Sequence, residues 1–244
     1  MSERVVQIIS QSFFQILIPG IKVTIPLTII SFALGLLIAL FLALVQIANV
    51  PVLKQFALVY IWFFRGTPLL VQLFIVFFGL PSLGIVLDAF PAAVITFALN
   101  SGAYNAETLR SAILAVPKGQ TEAAELVGLT YGQTMRRIIL PQAFPIAFPP
   151  LFNSLIGMVK DTSLASSITV IELFTKAQQI AARTFEPFVL YLEAAAIYLI
   201  FCTVLTLLQK WLEKKMVYRT PDNQMVSAEA EGADAKEEKC RCWK

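Results

Sequence analysis

The chain has 244 residues, of which 57% are hydrophobic and only 14% charged, and its formal net charge is +3. Soluble globular domains carry about a quarter charged residues, so the composition excludes a domain packed around one aqueous core and points to a polytopic membrane protein. Lys and Arg are spread over several loops, which excludes a nucleic-acid-binding patch. There is no histidine, and the three cysteines give no metal-ligand pattern. Cys202 reads as a small residue in an apolar run, and Cys240 and Cys242 stand two apart near the end of the chain.

Residues 1–16 are mildly amphipathic and are expected to lie at the membrane interface, with no cleavable signal peptide. The first span is expected over Val23–Val45, long enough to cross a hydrocarbon core of about 30 Å. A short loop, Gln46–Lys54, leads to a second span over Phe56–Gly79. That span contains Arg65-Gly66-Thr67-Pro68. Pro68 leaves the carbonyl four residues earlier without its helical bond, so a kink or wide turn is expected there. Arg65 either snorkels to the headgroups or pairs at the mouth of a pore.

A turn-rich loop, Gly79–Pro91, precedes the third span, Ala92–Leu114. Asn100, Tyr104, Glu107 and Ser111 recur on one side of it at helical spacing, with Thr108 beside them. A polar stripe of this kind faces a bundle interior or a water-filled path rather than lipid. The bland alternative is that Glu107 sits near the end of the span and reaches water.

Residues 116–141 form the longest polar interruption in the chain. Two short helices are expected there. Glu122 and Glu125 are expected in the first turns of the first helix, where acids suit the positive end of the dipole, with Ala123, Ala124 and Val127 as a small-residue face and Gly128 as the stop. Thr130-Tyr131-Gly132-Gln133 has capping-box spacing for the second, which Pro141 is expected to end. The alternative is a plain amphipathic loop.

Pro145, Pro149 and Pro150 are expected to open the fourth span, Ala143–Val159. Lys160-Asp161-Thr162-Ser163 and a second apolar run follow at once, which reads as a helix broken at membrane depth and lining a cavity. Asp161 is a candidate for ligand binding, against the alternative of a local salt bridge or cap. Pro187–Leu208 is the last span, and Lys210, Lys214, Lys215 and Arg219 form a basic stop. Residues 220–244 are expected to be a disordered polar tail, which leaves 1–219 as the transmembrane domain. Counting Lys and Arg on either side of five spans places the N-terminus outside and the C-terminus and residues 116–141 in the cytoplasm.

Glu122-Ala123-Ala124, Gly128 and Ile139-Leu140-Pro141 resemble the EAA motif of ABC importer permeases. Phe64-Arg65-Gly66-Thr67-Pro68-Leu69, Ala103-Tyr104-Asn105-Ala106-Glu107-Thr108-Leu109-Arg110 and Lys160-Asp161-Thr162-Ser163-Leu164 resemble the polar amino acid permeases. Gly79-Leu80-Pro81 with Gly84-Ile85 and Leu87-Asp88, Gln133-Thr134-Met135-Arg136-Arg137 and Ala177-Gln178-Gln179-Ile180 resemble the L-cystine permease subunits among them. The resemblance implies an all-α membrane bundle with a five-span core of the type I importer kind and cytoplasmic coupling helices. It implies a dimer of permeases, commonly identical, in the bacterial plasma membrane. It also implies ABC ATPase subunits that carry ATP and Mg, and an extracytoplasmic solute-binding protein. On that pattern Glu122, Ala123, Ala124 and Gly128 are coupling residues that seat in an ATPase groove. The chain itself is then no enzyme and holds no cofactor or metal.

A substrate pocket inside the permease is implied as well. The residues read above supply its candidates: Glu107 and Asp161 for the ammonium groups of cystine, with Asn100, Tyr104, Thr162 and Ser163 as further hydrogen-bonding groups. The helix N-terminus after the break is a candidate for a carboxylate. A stand-alone secondary transporter or channel is the alternative. It needs no ATPase partner and makes residues 116–141 a plain loop.

Overall fold

The computed structural model describes residues 3–48 and 51–216, and among these every regular element is helical. The expected tail 220–244, with Cys240 and Cys242, lies outside the described residues, as does Arg219.

Ten α-helices follow one another among the described residues: α1 (Glu3–Pro19), α2 (Ile25–Ala48), α3 (Pro51–Gly66), α4 (Leu69–Phe74), α5 (Ala89–Leu114), α6 (Lys118–Leu126), α7 (Tyr131–Thr134), α8 (Leu140–Asp161), α9 (Leu173–Thr184) and α10 (Pro187–Met216). Three uninterrupted helical runs are long and apolar enough to cross a membrane: Val5–Ala48, Tyr131–Ile168 and Pro187–Lys215. A fourth is the bent pair Pro51–Gly66 and Leu69–Leu83, which turns through 105° at its break. The fifth span is α5. It has 26 residues, but its polar stripe keeps it from being apolar enough on its own. It does not need to be, because α2, α3, α4 and α8 all pack against it.

The run from Val5 to Ala48 has 44 residues, or about 66 Å at 1.5 Å per residue. Residues 1–16 are expected at the interface, ahead of a span that starts at Val23. From Glu3 on they are continuous with the helix of that span, and Ser12 and Ile16 are buried, Ile16 in a cluster with Leu173, Ala177, Leu190, Ala194 and Ile197. A π-helical turn at Gly20–Thr24 joins α1 to α2, and the Ile25 N–H donates to the Gly20 carbonyl. The wider turn lets the helix continue past Pro19 and Pro26 instead of ending there.

The α3–α4 pair straddles α5. Ala57 and Ile61 of α3 pack with Ala39, Leu42, Ala103 and Ala106, and Leu73 of α4 packs with Leu27, Ala92, Ala93 and Phe97. Outward-facing Leu37, Phe41, Phe56 and Leu199 are well exposed, as a lipid-facing surface requires.

Two further expectations are corrected. Pro141 does not end a helix: α7, a π-helical turn at Met135–Ile139 and α8 form one run, and Leu140 N–H reaches back to the Met135 carbonyl. The ring sits at the start of α8, directly after the widened turn, where its missing N–H costs little. Pro145, Pro149 and Pro150 therefore lie inside α8 rather than at its opening. In α6, Pro117 is the N-cap and the helix starts at Lys118. Glu122 is thus mid-helix and Glu125 in the last turn, not at the positive end.

Small residues let α2 and α5 approach closely. A Cβ on Gly102 would stand 2.7 Å from Ile38 Cγ2, and one on Gly35 would stand 2.8 Å from Ser101 Oγ and 3.1 Å from the Ala98 carbonyl. This is the small-residue packing by which membrane helices associate. Gly102→Leu should therefore lower the melting temperature of the purified protein, at a cost of about 1–3 kcal/mol. Gly119→Ala, whose Cβ would meet nothing within 4 Å, should leave it unchanged.

Candidate functional site

The site begins with a carbonyl that Pro68 leaves without a helical partner. Phe64 O accepts from Gln72 Nε2 at 2.9 Å and from Asn100 Nδ2 at 3.4 Å. Gln72 also donates to Thr67 Oγ1 at 2.8 Å and accepts from Asn100 Nδ2 at 3.0 Å. Gln72 is buried, so these bonds form out of water, where an unmade one costs most. They fix the corner between α3 and α4 against the middle of α5. Tyr60 adds a bond from its hydroxyl to the Leu99 carbonyl at 2.7 Å.

Inside that corner lies an open cavity of ≈ 990 Å³. Its polar wall is the α5 stripe: Asn100, Ser101, Tyr104, Asn105, Glu107, Thr108 and Ser111. Arg65 and Thr67 come from the corner, and Ser154 and Asp161 from α8. Four of the expected substrate residues, Asn100, Tyr104, Glu107 and Asp161, thus share one cavity. Glu107 is ion-paired with Arg110 one turn along α5, and the Arg110 Nε lies 3.1 Å from its carboxylate. Asp161 makes no hydrogen bond or ion pair among the described residues.

Thr162 and Ser163 lie elsewhere. The chain tightens after α8 into a 3-10 helix, Thr162–Ile168, and their hydroxyls donate to the carbonyls of Val159 and Lys160 at 2.7 Å each. Thr162 is buried. Ser163 lines a second hollow of ≈ 530 Å³ with Lys160, Tyr191, Tyr198 and Cys202.

The helix break is real, but the helix N-terminus after it is not free. Glu172 is fully buried and is the N-cap of α9. Its carboxylate accepts from the N–H groups of Phe174 (2.8 Å) and Thr175 (2.6 Å) and from the Tyr198 hydroxyl (2.9 Å). The N-terminus of α9 holds its own acid and leaves no donors for an incoming carboxylate. Sequence reasoning missed Glu172. The Glu-x-x-Thr spacing before an amphipathic run was the available signal.

Residues 116–141 present a different surface. The capping box forms: Thr130 N–H donates to Gln133 Oε1 at 2.9 Å, and Gln133 N–H to Thr130 Oγ1 at 3.4 Å. Helix α6 packs against α7 and the π-helical turn. Ala124 is buried there, while Glu122, Ala123 and Gly128 are exposed. Gly128 ends α6 with φ +78°, and a Cβ on it would meet nothing within 4 Å. Leu126 and Val127, 89% and 75% exposed, stand beside it as an uncovered apolar tip.

A helical membrane bundle with a polar cavity against its central helix, and a separate short helix outside the spans, is the architecture of a transport permease. A family model described as the inner membrane component of binding-protein-dependent transport systems matches residues 35–218, and the chain belongs to that family. It is 51% identical over 210 residues to the L-cystine transport system permease protein TcyB of Bacillus subtilis (strain 168), covering 86% of this chain and 90% of that one. It is 46% identical over 205 residues to the probable amino-acid ABC transporter permease protein YckA of the same organism, covering 84% and 91%. Among solved structures, an amino acid ABC transporter crystallised with histidines matches with a TM-score of 0.79 and 36% identity, over 84% of this chain and 96% of that one. The chain is therefore a transport component of an ABC system and not an enzyme, and ATP hydrolysis resides on a separate subunit. The stand-alone transporter alternative gives way to this.

The Glu172 cap ties α9 to α10, and through Thr24, whose Oγ1 accepts the Leu173 N–H at 3.3 Å, to the π-helical turn before α2. Glu172→Ala should lower the melting temperature, with a loss of about 2–4 kcal/mol for the cap and the buried donors it strands. Tyr198→Phe should lower it by less, since it removes one donor.

Proposed function

We infer that this chain is the permease subunit of an amino-acid ABC importer and that its substrate is L-cystine. The observation that carries the reading is the cavity itself: an α5 polar stripe and Asp161, whose carboxylate makes no hydrogen bond or ion pair among the described residues, in a chain that is 51% identical to an L-cystine permease. Cystine carries two ammonium and two carboxylate groups. Asp161 takes an ammonium in this reading, and Asn100, Tyr104 and the Arg110-paired Glu107 complete the wall. A charge-assisted bond of this kind contributes about 1.5–3 kcal/mol.

In the same reading two copies of the chain form the path across the plasma membrane. The N-terminus is outside, and α6 faces the cytoplasm. Glu122, Ala123, Ala124 and Gly128 then seat in the groove of an ATPase subunit that carries ATP and Mg. The exposed Leu126–Val127 tip supports this, because an uncovered apolar end on a helix outside the spans is normally covered by a partner. A solute-binding protein delivers the substrate on the opposite side.

The test is uptake of labelled L-cystine by the complex reconstituted in liposomes, with unlabelled arginine, glutamine and histidine as competitors. Cystine should compete best; equal or better competition by another amino acid would overturn the cystine assignment. Asp161→Asn should weaken uptake affinity by about tenfold to a hundredfold without loss of complex assembly. Gly128→Trp should abolish uptake while the protein still inserts, because bulk at an open, left-handed position blocks close approach. Normal uptake by that variant would remove the coupling role.

A further inference from the structure

The charges that line the cavity do not cancel within it. Among the described residues the lining holds one cation, Arg65, and two acids, Glu107 and Asp161. Glu107 is already taken by Arg110. Arg65 has no hydrogen bond or ion pair among the described residues; it stands over the ring of Tyr104, whose centroid lies 5.4 Å from the guanidinium carbon, and its charge also acts on the Glu107 carboxylate. The cavity therefore presents one cation, Arg65, and one anion, Asp161, that hold no hydrogen bond or ion pair among the described residues. The complement of such a pair is a zwitterion.

We propose that Arg65 binds the α-carboxylate of the transported amino acid, with Tyr104 as the platform that orients its guanidinium. The proposal rests on the reading that the importer's amino-acid substrate occupies this cavity. Three observations carry it. The α9 N-terminus, the other carboxylate site the fold offered, is filled by Glu172. Lys160 lines the second hollow and not this cavity. Arg65 is also the last side chain before the corner, and the carbonyl of its neighbour Phe64 is held by Gln72 and Asn100, so its backbone is anchored where it enters the cavity.

The chemistry fits the residue type. A guanidinium stacked on an aromatic ring keeps its edge N–H groups free, and that edge matches a carboxylate with two parallel bonds. Arg65 also sits at the C-terminal end of α3, where the helix dipole favours a cation while the site is empty. Asn100 holds the corner and Tyr104 holds the plane, so the polar stripe of α5 serves as the support of Arg65.

The test uses the purified permease–ATPase complex in nanodiscs, without a binding protein, and measures equilibrium binding of L-cystine and of L-cystine diamide. The diamide is nearly isosteric and keeps both ammonium groups but has no carboxylate. The wild-type complex should bind cystine at least about tenfold more tightly than the diamide. Arg65→Gln should reduce cystine binding to the level of the diamide and leave diamide binding unchanged. Equal wild-type affinity for the two ligands overturns the proposal whether or not the variant assembles, and so does an assembled Arg65→Gln complex that keeps the wild-type ratio. The same pair of measurements with arginine and argininamide separates the two readings. If arginine binds with the acid-over-amide preference and cystine does not bind, the cystine assignment fails and the role of Arg65 stands.

Discussion

The site depends on one backbone carbonyl. In a membrane every polar backbone group needs a partner within the protein, because no water is there to supply one. Pro68 removes the partner of Phe64 O, and a side-chain amide from each of two helices replaces it. The rest follows from that replacement. The α3–α4 pair turns through 105° and packs one limb on each half of α5. The corner leaves room for the cavity, and Asn100 is held in the stripe by its bonds to the Phe64 carbonyl and to Gln72 Oε1.

The same constraint explains why the central helix is the least apolar. Helix α5 carries Asn100, Asn105, Glu107 and Arg110 because its neighbours, rather than its own side chains, separate it from lipid. Small residues make up most of its buried face, with Ala92, Ala93, Ala98, Ser101, Gly102, Ala103 and Ala106 beside the larger Val94, Phe97 and Ile113. Lipid tails are as apolar as leucine, so large apolar side chains give little drive for helices to associate there. Close approach of small ones gives dispersion contact instead. A hydropathy profile alone ranks α5 lowest among the spans, while its packing puts it at the centre.

Residue type was enough where the physics is local. The break at Pro68, the Thr130–Gln133 capping box and the stripe of Asn100, Tyr104 and Glu107 are all readable from spacing and from the bonds those residues lack or make. Distant partners were not readable. Nothing near Phe64 in sequence names Gln72 or Asn100 as its donors. Nothing beside Asp161 shows that the hydroxyls of Thr162 and Ser163 turn back onto the last turn of α8. Proline alone does not decide the outcome: Pro68 breaks a helix as expected, while Pro141, expected to end one, and Pro19 sit in helical runs that continue through them. In those two cases a π-helical turn beside the ring widens the spiral, and that adjustment is set by packing rather than by the proline. The acid at position 172 was hidden for the same reason: a fully buried carboxylate is tolerable only with several donors, and Tyr198 comes from a different helix.

The continuation past Pro141 changes how the two ends of the molecule relate. Had the helix stopped there, α6 and its exposed tip would hang on a loop, and movement of the tip would be lost in it. Instead α6 rests on the first turns of a 38-residue run, Tyr131–Ile168, and Asp161 lies within that same run. The tip thus rests on the same helical run that carries the cavity acid. The run is not uniformly stiff. Pro145, Pro149 and Pro150 each withhold a backbone donor, so bending is easiest between the seat of α6 and Asp161. A proposed ATPase stroke on α6 therefore has a route to the wall that carries Asp161, while Arg65 follows Phe64, whose carbonyl is held by Gln72 and Asn100. In the coupling role proposed for α6, the wall that carries Asp161 would follow α6, while the corner that carries Arg65 stays tied to α5 through Gln72 and Asn100.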